Sequence, residues 1–143
     1  MQAWRPYLKR DIEKIEKVQR RATKMISDCS KLSYENRLKI TELTTLEARR
    51  TRGDLIEVFK IVKGFSKVDC SHFFRVVGNS KTRGNRYKLV KSRSRLDIRK
   101  HFFSQRVVNE WNMLPNSVVE AESINSFKNK YDEYVSRQKR LNV

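Results

Sequence analysis

From Asp11 to Ile26 the apolar residues Ile12, Ile15, Val18, Ala22, Met25 and Ile26 fall at steps of three and four, with Lys14, Lys17, Arg20, Arg21 and Lys24 between them. That spacing predicts an amphipathic helix with an apolar stripe turned inward and a basic outer face. Asp11 and Glu13 in its first turn, and cations toward its end, suit the helix dipole. Ser33 is a good N-cap for a short second helix carrying Tyr34, Leu38 and Ile40 inward. Thr44 and Glu47 have capping-box spacing and open a long helix that runs to about Lys63 and stops at Gly64. Its predicted inner stripe is Leu46, Leu55, Ile56, Phe59 and Val62, with Gly53 marking a bend or a close crossing.

Between Phe65 and Ser80 neither the helical nor the strand period persists, so the segment reads as a connector pinned by Phe73, Phe74, Val76 and Val77. From Arg86 to Val90, and again from Leu96 to Ile98, the alternation is close to two and allows a small basic β-hairpin. His101 to Leu114 is helical again, offering Phe102, Val107, Val108 and Trp111 to a core, and Pro115 stops it. The last helix starts after Ser123 and passes through Ile124, Phe127, Tyr131, Tyr134 and Val135. The expected fold is mostly α, a compact helical domain of about five helices spanning residues 1–143 as one unit.

Charge changes this picture more than composition does. The chain carries 33 Lys and Arg against 16 Asp and Glu, a formal charge of +17, which favours a polyanionic partner, with nucleic acid ahead of an anionic membrane surface. No apolar run approaches the ~18 residues of a membrane span, so no membrane partner is expected. The excess is concentrated in KTRGNRYKLVKSRSRLDIRK, Lys81 to Lys100, where nine cations meet the single acid Asp97. Like charge at this density repels itself, and a phosphate backbone removes that penalty. On this reading Lys81, Arg83, Arg86, Lys88, Lys91, Arg93, Arg95, Arg99 and Lys100 face a nucleic acid, and Tyr87 stacks on a base. The interleaved apolar residues anchor the segment. The competing reading is a solvated basic face with Tyr87 in the core. Lys14, Lys17, Arg20, Arg21 and Lys24 are a second candidate contact row, although Glu13 and Glu16 stand at compensating spacing. Arg49, Arg50 and Arg52 extend either surface or pair locally.

Four strings, in order, cover nearly the whole chain: IEKVQRRATKMI (Ile15 to Ile26), ELTTLEARRTRGDLIEVFKIVKG (Glu42 to Gly64), SRSRLDIRKHFFSQRVVNEWNMLP (Ser92 to Pro115) and SINSFKNKYDEY (Ser123 to Tyr134). Together they resemble the region downstream of the catalytic palm in reverse transcriptases of non-LTR, LINE-type, jockey-like retrotransposons. Polymerase chemistry in that family depends on palm carboxylates, a Tyr-x-Asp-Asp type motif among them, that bind two metal ions. The acidic groupings of this chain, Asp132 with Glu133 and Glu120 near Glu122, lack that context. The resemblance therefore implies a thumb-like, polymerase-associated region without polymerase activity, Met1 falling after the catalytic portion. It implies an RNA or DNA partner and no catalytic residues; no cofactor is expected, and the well-separated Cys29 and Cys70 with no signal-like apolar opening fit a reducing intracellular, nuclear setting. RSRLDIRK and RQKR also fit short nuclear-import patches.

Other candidates are weaker. Cys29, Cys70, His72 and His101 lack the close, repeated spacing of a zinc site, so no metal is expected. Neither thiol has an activating neighbour in sequence. Trp111, Tyr131 and Tyr134 lie on helical apolar stripes and read as core. Trp4 and Tyr7 read as a surface for an upstream polymerase domain or for self-association. The alternative to nucleic-acid binding is a helical protein–protein interaction module or self-associating remnant, and a metal-dependent nuclease would need converging carboxylates that the sequence does not offer.

Overall fold

A computed structural model of the chain describes residues 5–77 and 85–141. Among them run seven helices: α1 (Lys9–Lys24), α2 (Tyr34–Ile40), α3 (Leu46–Val62), α4 (Asp97–Lys100), α5 (Phe103–Met113), α6 (Asn116–Val119) and α7 (Ile124–Leu141). The five helices expected from periodicity are present, and α4 and α6 are short additions. Trp4 lies outside the described residues. The expected hairpin does not form. Leu96 to Ile98 leads into α4, and Leu89 makes an isolated antiparallel bridge with Val76. By its internal packing the chain divides into two compact units, Met1–Gly53 and Asp54–Val143, with the boundary inside α3.

In the first unit the expected burial of α1 is reversed over its second half, while Ile12 and Ile15 stay half-buried. Glu16, Gln19 and Thr23 are its buried residues, while Val18 and Met25 are 68% and 81% exposed. The inward polar groups satisfy one another, which is what makes their burial tolerable. Glu16 accepts the Tyr34 hydroxyl proton at one carboxylate oxygen and the Leu46 amide at the other, the latter at 3.0 Å. That amide is an orphan donor at the start of α3, where the dipole also favours a carboxylate. Gln19 Nε2 donates to the Tyr34 hydroxyl (3.0 Å) and the Thr44 carbonyl (2.9 Å). Thr23 Oγ1 donates to the Gln19 carbonyl at 3.0 Å and accepts from Arg37 Nε at 3.2 Å. Arg37, buried, donates onward to the Leu32 carbonyl at 2.5 Å. Burial first, and the bond to Glu16 second, hold the Tyr34 phenol above its usual pKa.

Helix α2 begins as predicted, with Ser33 Oγ accepting from the Asn36 amide at 3.3 Å. Ile40, expected inward, is exposed, and Arg37 takes the buried position instead. The helix closes in a Schellman motif: Leu43 N donates to Leu38 O (2.9 Å) and Glu42 N to Lys39 O (3.2 Å). Glu42 therefore occupies φ +53°, a position at which a residue with a Cβ costs about 1 kcal/mol. The cap of α3 is shifted by one residue from the expected box. Thr45 Oγ1 accepts from the Ala48 amide at 3.2 Å, and Glu47 pairs with Arg5 at 3.8 Å.

The second unit is built on apolar packing. Leu55, Val58, Phe59 and Ile61 of α3 meet Val107, Val108 and Trp111 of α5, Val118 and Val119 of α6, and Phe127 and Tyr131 of α7 in one buried cluster. Phe59 and Phe127 stack at 4.4 Å, and Trp111 lies 6.1 Å from Phe127. Each such buried side chain contributes about 1.5–3 kcal/mol. Ile56 and Val62, expected inward on α3, are only partly buried at its edge. Helix α3 ends in a second Schellman motif, with Phe65 N on Lys60 O (2.8 Å), Gly64 N on Ile61 O (3.3 Å) and Gly64 at φ +73°. Here conformation, not space, calls for glycine, since a Cβ at Gly64 would meet nothing within 4 Å. Phe65 returns to stack on Phe59 at 5.7 Å. One buried ion pair crosses this unit: Arg106 grips both Asp54 oxygens at 3.0 and 3.1 Å. Of the connector, Phe74 is buried, whereas Phe73 and Val76 are exposed, and Phe102 is exposed just before α5.

Candidate nucleic-acid interface

Residues 85–91, the first described part of the basic segment, are fastened to α5 and α6 largely by asparagines. Asn112 Oδ1 accepts the Leu89 amide and its Nδ2 donates to the Leu89 carbonyl, both at 2.9 Å, so one side chain completes Leu89 as a neighbouring strand would. Leu89 itself is buried in the core. Asn85 Nδ2 donates to the Trp111 carbonyl (2.9 Å) and the Leu114 carbonyl (3.2 Å), closing the C-terminal end of α5. Asn116 Oδ1 accepts from the Arg86 amide at 3.0 Å. Trp111 Nε1 donates to the Tyr87 carbonyl at 2.7 Å.

Tyr87 is thereby accounted for. It packs against the core, the Lys63 ammonium lies 4.4 Å from its ring centre, and its hydroxyl accepts from Lys63 Nζ at 3.2 Å. The ring is half-buried against the core, the placement that the competing reading of Tyr87 expects. Anchoring by interleaved apolar residues holds for Tyr87 and Leu89 and fails for Leu96 and Ile98, which are exposed.

The cations of the segment differ in what they face. Lys81 and Arg83 lie outside the described residues. Arg86 pairs with Glu120 at 3.6 Å, and Lys100 with Asp97 at 2.6 Å. The Lys100 hydrogen bond lowers the pKa of Asp97. Lys88 is half-buried. Lys91 Nζ donates to the neutral Asn109 amide oxygen at 3.1 Å, which leaves its charge uncompensated. Arg93, Arg95 and Arg99 are exposed, and among the described residues none of them has a carboxylate partner. Ser94, between two of them, is half-buried, so Arg93 and Arg95 point outward on either side of an inward residue. Exposed pairs such as Arg86–Glu120 are worth no more than about 1 kcal/mol, so they do little to offset the accumulated charge.

In the first unit Lys14, Lys17, Arg20, Arg21 and Lys24 are all exposed. Lys14 lies 3.9 Å from Asp11, and the Arg20 guanidinium sits 5.0 Å over the Tyr34 ring. Arg49 donates to Gln19 Oε1 (3.4 Å) and the Thr44 carbonyl (3.5 Å), so it belongs to the polar network. The Cys70 thiol is held above its usual pKa by burial first and by Asp69 second. Among the described residues no three His, Cys, Asp or Glu side chains converge as a metal site.

Sequence reasoning missed the asparagine clamp. Its signal lay in the string NEWNMLPN, where Asn109, Asn112 and Asn116 recur at steps of three and four on one helical face and beyond its end. No protein-family model, curated protein or solved structure matches the chain.

Proposed function

We propose that the chain is a non-catalytic nucleic-acid-binding region of a non-LTR retrotransposon reverse transcriptase, gripping RNA or DNA phosphates through its basic segment. The observation that carries this is the run Lys91, Arg93, Arg95 and Arg99: four exposed cations without a carboxylate partner among the described residues, borne by a segment that Asn85, Asn112 and Asn116 fasten to a packed helix. A fastened backbone loses less entropy on binding than a loose basic tail, and it presents charge from a fixed base. The resemblance of four ordered strings to the region after the palm supplies the family. Lys14, Lys17, Arg20, Arg21 and Lys24 form a second contact row in the same reading.

Such a surface reads phosphates, not base edges. The test is a binding titration of the full chain against matched RNA, single-stranded DNA and duplex DNA of two unrelated sequences. Affinity should change less than tenfold between sequences of one class and fall steeply as salt rises. Binding that persists undiminished in high salt, or no binding to any of the three, contradicts the proposal.

A further inference from the structure

Helix α1 carries an apolar stripe that phosphate binding does not use, beside Lys14 and Arg21 of the second contact row. Leu8, Asp11, Ile15, Val18, Ala22 and Met25 alternate at steps of three and four, the a and d positions of a heptad, over a rise of about 25 Å. Leu8, Val18, Ala22 and Met25 are exposed, while Asp11 and Ile15 are half-buried. This is not surplus core. The adjoining face of the helix, through Glu16, Gln19 and Thr23, is already occupied by the hydrogen bonds of its own unit. On the other side of the stripe stand Lys14 and Arg21, at the flanking g positions, followed by Arg10, Lys17 and Lys24. One flank is therefore closed by the unit's interior and the other is open and cationic.

We infer that this seam is a docking surface for one amphipathic helix of a partner protein, whose apolar a and d residues cover Ile15, Val18, Ala22 and Met25 and whose flank places Asp or Glu against Lys14 and Arg21. Charge selects this occupant over the others. In an antiparallel pair with a second copy, g faces g, setting Lys14 and Arg21 against the same residues. In a parallel pair, g faces e, and the e residues Ile12 and Gln19 are half-buried and buried. A lipid surface suits the seam poorly, because the stripe is narrow, lacks aromatic residues and contains Asp11, which would be pressed toward acyl chains. In a two-helix seam a single polar residue of this kind fixes register instead.

The probe is a synthetic helical peptide of three heptads with Leu at a and d and Glu at e and g, compared with a scrambled peptide of the same composition and a version with Lys in place of Glu. Titrated into the full chain, the Glu heptad peptide should bind saturably and at least tenfold more tightly than either control. Val18→Asp, at a position 68% exposed, should abolish that preference without shifting the thermal midpoint. The double substitution Lys14→Glu with Arg21→Glu should transfer preference to the Lys peptide. Equal binding of heptad and scrambled peptides overturns the inference by reducing it to bulk charge. It is equally overturned if Val18→Asp binds normally, if sizing shows self-association that Val18→Asp removes, or if anionic vesicles of phosphatidylserine bind while the Glu peptide does not.

Discussion

The two units of this chain are held together by opposite means. Among the described residues of the first, the buried side chains of α1 and α2 are Glu16, Gln19, Thr23 and Arg37, linked through Tyr34 and the open ends of neighbouring helices, while Val18 and Ala22 of α1 face solvent and Ile12 and Ile15 are half-buried. In the second, the buried side chains form an aromatic and aliphatic cluster around Phe59, Trp111 and Phe127, and its polar insertions are an ion pair and asparagine clamps. The lesson is that helical periodicity reports amphipathicity and leaves open which face turns inward. Where inward polar groups find each other, the apolar stripe remains available to something else.

Breaking the second unit should produce the largest effect. Trp111 is fully buried, stacks near Phe127 and holds the Tyr87 carbonyl, so Trp111→Ala should cost about 3–5 kcal/mol. Chemical denaturation followed by circular dichroism measures it, and a loss below 1 kcal/mol would mean that the cluster is not the core. A smaller effect is expected in the first unit. Glu16→Ala strands the Leu46 amide and removes the acceptor of the Tyr34 hydroxyl, a cost of about 2 kcal/mol. Hydrogen exchange at the Leu46 amide should then accelerate, while the amides of α5 and α7 keep their protection. Uniform acceleration across both units would show that they do not differ as described.

Much of this was legible in the sequence, for reasons that can be located. Strong periodicity and good punctuation placed the helices: Ser33, Gly64, Pro115 and Ser123 each do at a helix end what their chemistry predicts. The stripe of Phe127 and Tyr131 was readable because it packs on other apolar residues. The inversion of α1 was not, since it depends on Tyr34, Arg37 and Thr44 arriving from elsewhere to satisfy Glu16, Gln19 and Thr23. A similar limit applies to Leu96 and Ile98. Alternation suggested a strand, yet among the described residues Leu96 and Ile98 have no facing strand, and one edge of Leu89 is taken by Asn112. In the candidate site, the concentration of charge was evident from composition alone. Which cations would be neutralised was not, because Glu120 reaches Arg86 only through the fold.

On the proposed reading, this segment meets phosphates with its unpaired guanidinium groups. The most direct measurement is the slope of log binding constant against log salt for duplex DNA, compared between the native chain and the triple substitution Arg93→Gln, Arg95→Gln, Arg99→Gln. Each lost phosphate contact should flatten the slope by about 0.9, so the variant should be shallower by roughly 2–3 and weaker on every sequence alike. A folded variant with an unchanged slope would contradict the claim.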